Sequence, residues 1–182
     1  MTAILEYQQE LSKAVTDAKV VLYEIDLSQI GGSTFRFADS SIVSSTVTFK
    51  GVVWTPLAIT ISGLGTTQGE APAKPVLSVD NSQRLLQAAI ETLGDIVGGK
   101  VTRYRVFRKF LADGSNPNDN AHAPPDQFII DQKTSHNKMA VTWNLHSKMD
   151  IEDDKIGRQM LKDDVGSNYG FPGLSTSTRL RY

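Results

Sequence analysis

Few side chains in this sequence are spaced for catalysis or metal binding. The three histidines, His122, His136 and His146, show neither the HxxH nor the HExxH spacing that sets two imidazoles on one ion. Each is expected to be a satisfied or solvated side chain, with His146 on the polar face of its strand. Asp150, Glu152, Asp153 and Asp154 concentrate negative charge, yet they lack the D-x-[DN]-x-[DN]-G spacing of a calcium loop, so a solvated acidic turn is expected. Gly63, Gly65 and Gly69 do not form G-x-G-x-x-G. They lead into a Pro-containing connector, not into a helix N-terminus able to hold a pyrophosphate, and read as loop hinges. No G-x-S-x-G elbow and no G-x-x-x-x-G-K-[ST] loop occurs, which leaves nucleophilic catalysis and nucleotide hydrolysis without support. The absence of cysteine removes disulfides, thiolate metal sites and cysteine nucleophiles together. The expectation is a protein that is not an enzyme.

One run stands out by charge. Lys100, Arg103, Arg105, Arg108 and Lys109 place cations on both faces of a predicted strand, with Tyr104, Phe107 and Phe110 interleaved. Basic residues alternating with aromatics suit single-stranded nucleic acid. The other reading is a strand exposed on both faces beyond the sheet, meeting acidic surface on a neighbouring subunit. A net charge of -1 and a pI near 6.3 oppose the nucleic-acid reading, since phosphate binding favours a basic excess. The acidic segment after Asp150 is then the counterpart. Replacing Arg103 and Arg105 with Glu is expected to abolish oligomer formation.

The elements that must carry these residues follow from periodicity. At 182 residues, 40% hydrophobic and 21% charged, the chain suits one folded domain. The N-terminus lacks a basic, then apolar leader, and no run reaches the ~18 apolar residues of a membrane helix. From Ala3 to Ala18, Ile4, Leu5, Leu11, Ala14, Val15 and Ala18 recur at helical spacing, with Thr2 as a candidate N-cap. In VVLYEIDL the period becomes two: Val21, Tyr23, Ile25 and Leu27 oppose Glu24 and Asp26, predicting a half-buried strand. Gly31-Gly32 turns it into a returning strand with Phe35 and Phe37. A second pair is predicted around Gly51, between Val47/Phe49 and Val52–Trp54, with Pro56 ending the pairing or lying on an edge. Short strands follow at Leu57–Ile61 and Val76–Val79. The widest apolar stripe, Leu85, Leu86, Ala89, Ile90, Leu93, Ile96 and Val97, predicts a helix over Ser82–Val97, capped by Asp80 or Ser82 and stopped by Gly98-Gly99. The basic strand, Lys100–Leu111, comes next. Asp113–Pro125 reads as a long hairpin loop reaching beyond the core. Strands follow at Phe128–Lys133 and Met139–Leu145, the latter with Met139, Val141, Trp143 and Leu145 on one face. A short helix is expected from Asp150. The fold class is mainly β, an antiparallel sandwich or barrel with one packed helix and a short N-terminal helix.

These segments together resemble the lambdoid phage minor tail protein L family over approximately residues 1 to 161. The residues that carry the resemblance are VVLYEIDL with Gly31-Gly32, the Gly51–Pro56 segment with Trp54, KPVLSVDN, and VGGKVTRYRVFRKFL from Val97 to Leu111. Pro124, Pro125, Asp126, the strands at Phe128–Asp131 and Met139–Leu145, and a closing IGRQML continue it in the same order and spacing.

The resemblance implies a tail-tube-like fold in which sheets and a helix tile a ring and long hairpins join subunits. It implies a structural component of a long non-contractile tail tip, made in the bacterial host cytoplasm. Such a protein forms a ring, a homotrimer, between the distal tail ring and the central hub that carries the fibres. The ring surrounds a channel for DNA or tape-measure protein. Members of this family typically carry a cysteine-rich C-terminal region that ligates an iron–sulfur cluster. With no cysteine here, a shortened, cluster-free member is expected, with 162–182 as an extended docking arm after a 1–161 body. On that basis the interface residues are expected to be Arg103, Arg105, Phe107, Arg108, Arg179, Arg181 and Tyr182. The rivals are a hexameric tail-tube or distal tail ring subunit, decided by symmetry, and a carbohydrate- or receptor-binding module, favoured if Trp54 or Trp143 lined a groove.

Overall fold

A computed structural model describes residues 2–13, 17–65 and 74–147. The expected helix after Asp150, the arm at 162–182 with Arg179, Arg181 and Tyr182, and also Ala14, Val15 and Gly69 lie outside the described residues.

The order is α1 (Thr2–Leu11), β1 (Lys19–Asp26), β2 (Thr34–Asp39), β3 (Val47–Phe49), β4 (Val52–Leu57), β5 (Ile59–Ser62), β6 (Val76–Asp80), α2 (Gln87–Thr92), β7 (Lys100–Phe107), β8 (Asp126–His136) and β9 (Ala140–Ser147). The nine strands form one sheet in the order β3-β4-β2-β1-β7-β8-β9-β6-β5. Ala58 alone separates β4, second from one end, from β5 at the other end. A sheet with that connection has to curl until its ends meet. Ser40 N–H donates to Leu57 O from the β2 side of this one-residue link and Asp80 N–H to Ala58 O from the β6 side, and the expectation of a mainly β fold with a packed helix holds.

Period-two alternation positions the strands, and one β-hairpin turn has a clear local cause. Lys50 and Gly51 both have positive φ, 53° and 70°, the backbone of a tight turn whose twist matches its flanking strands. The pairing Val47↔Trp54 to Phe49↔Val52 follows. Pro56 does not end β4: pairing to β3 stops at Trp54, and β4 then runs beside β2 from Phe37↔Thr55 to Asp39↔Leu57. That pair is parallel, whereas an antiparallel sheet was expected throughout.

Two buried clusters sit on opposite faces of β1. Tyr23, Ile25 and Leu27 join Trp143, Leu145, Ile130, Leu77 and Ile59 in the first cluster, with Ile90 and Ile96 from the α2 region. Val20 and Leu22 join Val106, Phe107, Phe110, Phe49, Trp54 and Tyr7 in the second. Strand β1 is therefore buried on both faces over part of its length, not half-buried.

Several local expectations change. The Ser82–Val97 helix contracts to Gln87–Thr92. Arg84 has φ 52° before it, and Gly94, Asp95 and Ile96 have φ 62°, 63° and 57° after it. Those left-handed residues turn Ile96 into the core and leave Leu85 and Val97 exposed. The Asp80 carboxylate accepts from the Ser82 N–H and hydroxyl in a local turn, not from a helix end. Helix α1 starts at Thr2 itself and ends at Leu11. Its buried side chains are Tyr7 and Glu10, while Ile4, Leu5 and Leu11 are exposed, the reverse of the apolar stripe. Met139 is 78% exposed at a hairpin tip, unlike Val141, Trp143 and Leu145.

Candidate functional site

The basic strand is central in the sheet, with β1 on one side and β8 on the other, so it is not exposed on both faces beyond the sheet. It ends at Phe107 because residues Arg108–Phe110 form a 3-10 turn, tied by Lys109 N–H to Asp17 Oδ2 at 2.8 Å. Arg103 faces Asp126 in register on β8, and its Nε and Nη2 donate to Asp126 Oδ2 at 2.9 and 2.7 Å. Arg105 Nη2 lies 3.5 Å from Asp126 Oδ1. Two guanidinium groups thus share one carboxylate of the same chain, and Arg105 Nε is buried without a hydrogen-bond partner. Phe107 is 1% exposed and packs against Tyr7 in a tilted arrangement and against Phe110 edge-on, at centroid distances of 5.0 and 6.3 Å. It is core in this chain, where an interface contact was expected. Arg108 is exposed.

The long loop after this strand folds back. Ala121 and Ala123 are buried in the second cluster, and Ala123 N–H donates to Arg105 O at 3.0 Å. Asp119 accepts from the Lys50 N–H and Glu6 accepts from the Asn118 amide. The expected hairpin reaching beyond the core is therefore a packed cover over it. Helix α1 joins the same cover through Glu10, whose carboxylate takes ion pairs from Lys109 and Lys13. The hydrogen bond from Lys109, then that from Lys13, holds Glu10 at about 2, below the ordinary 4.5. Burial raises the Tyr7, Tyr23 and Tyr104 hydroxyls above their usual range.

The other candidates are structural. His122 is edge-on to Phe49 and Tyr104 at 5.9 and 5.7 Å. His136 Nε2 meets Gln87 Oε1 at 3.2 Å, and His146 lies 4.0 Å from Asp131. No group of three or more His, Cys, Asp or Glu side chains among the described residues is placed to hold a metal ion. Trp54 and Trp143 are both buried, donating to Phe49 O and Asp95 O at 3.2 and 3.0 Å. Neither lines a groove, which removes the feature that favoured a carbohydrate-binding module.

Sequence reasoning missed Asp126 as the partner of Arg103 and Arg105, and Glu10 as the partner of Lys109. The first pair is 23 positions apart and the second 99, so no local spacing marks either.

Comparison with known proteins adds two findings. The family model described as phage minor tail protein L matches residues 28–170. Tail tip protein L of Escherichia phage lambda is 32% identical over 126 residues, which is 69% of this chain and 54% of the lambda protein. The chain spans about half the length of that relative.

Proposed function

The chain belongs to the phage minor tail protein L family, and on that premise we propose that it is a structural subunit of the tail tip of a long non-contractile tail, at the end of the virion. The observation that carries this is the length of the family match, which spans β2 to β9 and continues to residue 170. We propose further that three copies close into a ring between the distal tail ring and the central hub, around the channel taken by DNA or tape-measure protein. Synthesis in the host cytoplasm belongs to the same proposal.

Such a subunit works by geometry and not by catalysis. Apolar burial and complementary charge between copies reward closure. The body would be residues 1–161, with 162–182 as the arm. Arg105 on β7 and Arg108 in the turn after it remain the contact residues of the basic run: Arg108 is exposed and Arg105 holds only part of a shared carboxylate. Arg103 positions Asp126, and Phe107 supports from beneath. Arg179, Arg181 and Tyr182 would act from the arm. The chain has no cysteine and so supplies no thiolate to an iron–sulfur cluster.

Mass measurement of the purified chain, with imaging of tail ends carrying a tagged copy, tests the ring. Three copies at the tip is the expected result. Six copies along or at the end of the tube would replace it with the tube or distal-ring reading.

A further inference from the structure

A surface cavity of about 320 Å³ lies where the β8–β9 hairpin tip meets the segment leading into α2, a size at the lower end of the ~300–1,000 Å³ typical of ligand sites. It is lined by Asn81, Arg84, Gln87, His136, Asn137 and Lys138. None of these residues carries a carboxylate. Arg84 and Lys138 are exposed and, among the described residues, neither enters an ion pair. The carboxylates nearby in sequence face other groups: Glu91 accepts from the Gln87 amide, and Asp80 is turned onto Ser82. The walls are tied together by hydrogen bonds. Asn81, 6% exposed, donates its N–H to Met139 O and its side-chain amide to Asn137 O, both at 2.9 Å. Asn137 Oδ1 accepts the Met139 and Ala140 N–H groups, which leaves its amide nitrogen as a donor. Gln87 Oε1 meets His136 Nε2 at 3.2 Å, so that acceptor is occupied too. Arg84 holds φ 52° in a turn closed by its N–H to Asn81 O and by the Gln87 N–H to Arg84 O. Glycine would adopt that backbone at less cost; what arginine adds there is a guanidinium at the cavity.

We propose that this cavity binds a phosphate group. Two cations without ion pairs and an amide donor, beside Gln87 and Asn137 acceptors that are already engaged, make a pocket of positive charge suited to an oxyanion. The donors come from two elements: Arg84 from the turn before α2, and Lys138 with Asn137 from the hairpin tip. A carboxylate has two oxygens in one plane and is satisfied by a single guanidinium fork. A tetrahedral phosphate presents oxygens in more directions, which suits a fork from one side and an ammonium from the other. A phosphate monoester carries about −1.5 to −2 at neutral pH, a charge that the two cations balance. Such a group has two sources, a free or terminal phosphate and the backbone of a nucleic-acid strand. The assignment depends neither on the ring nor on its copy number.

Inorganic phosphate titrated into the full chain at constant ionic strength, followed by amide NMR shifts, tests it. Saturable shifts centred on Arg84, Gln87, Asn137 and Lys138 are expected. Arg84→Gly combined with Lys138→Gln should weaken binding at least ~10-fold. Glycine suits the left-handed backbone of that turn, so the loss reports on the two cations and not on the fold. Arg84→Lys, which keeps the charge and loses the fork, should give an intermediate affinity. Two further probes separate the sources. The same shifts from thymidine 5′-monophosphate alone support a free or terminal phosphate; the same shifts from a short unphosphorylated thymidine oligonucleotide support the strand backbone. Absent saturation, or an affinity unchanged by Arg84→Gly with Lys138→Gln, would overturn the site. An equal response to chloride would mean an adventitious ion only, and tighter binding of a tetraglutamate peptide would mean an acidic protein partner; either overturns the phosphate assignment.

Discussion

The two buried clusters are similar in chemistry and different in construction. The first is lined by strands that pair with one another, closed by the curl of the sheet and plugged by Ile90 and Ile96. The second has β1 and β7 as its floor, but its cover is α1 and the 111–123 loop, segments about a hundred residues apart in the chain. Hydrogen-bonded ladders fix the first cluster on several sides. The cover of the second has only scattered backbone bonds, such as Ala112 N–H to Thr48 O and Ala123 N–H to Arg105 O, and α1 is fastened to it by side chains: Glu10 to Lys109, Glu6 to Asn118, and Tyr7 on Phe107. The first cluster should therefore set global stability, and the second should open on its own at lower free energy.

Removing Trp143 makes the largest difference between them. Trp143→Ala deletes a fully buried indole and its bond to Asp95 O, and a loss of about 3–5 kcal/mol is expected. Denaturant unfolding should show one transition moved to lower concentration. A loss below about 1 kcal/mol, or a change confined to α1, would break the contrast.

The first cluster was also the more legible in the sequence. Val141, Trp143 and Leu145 announce a strand because alternation is a local property, and all three are buried. Met139 fits the same alternation but falls on the tip, where Asn137 Oδ1 captures its N–H and ends the ladder. The apolar stripe from Leu85 to Val97 promised a helix. The chain instead takes three consecutive left-handed residues, so that Ile96 is buried and Asp95 O meets Trp143. That is tertiary contact overriding propensity. Burial of Val20 and Leu22 was illegible for the same reason, since their cover lies outside their own neighbourhood. For the candidate site, the cations of β7 were visible and their compensation by Asp126 was not.

Phe110→Ala tests the second cluster from within. Phe110 is 1% exposed, packs on Phe107 and carries the Lys109 ammonium over its ring at 4.7 Å. Truncating a buried phenylalanine costs about 3 kcal/mol or more in a closed core. Here the measured global loss should be smaller, about 1–2 kcal/mol, because α1 and the loop can detach and cap it. Hydrogen exchange should accelerate in α1 and at Asn118, Ala121 and Ala123 while β8 and β9 keep their protection. Equal acceleration in both regions would show a single cooperative unit.

The smallest expected effect sharpens the same distinction through acid. Glu10 is held at about 2 by Lys109 and Lys13, against an ordinary 4.5. A depressed carboxylate contributes stability that is fully present above the unfolded value and disappears as pH falls through the folded one. The attachment of α1 should thus be unchanged from neutral pH to about 4.5 and weaken progressively from there to about 2. Beside Trp143 the Asp95 carboxylate pairs with Lys133, but β8 and β9 are fastened mainly by their backbone ladder, so their protection should outlast that of α1 in the same interval. Glu10→Gln keeps the shape, removes the charge and should flatten the acid dependence of α1 exchange relative to that of β9. If α1 and β9 instead lose protection together in the parent chain, or if Glu10→Gln leaves the dependence of α1 unchanged, the ion pairs at Glu10 are not what fastens the cover.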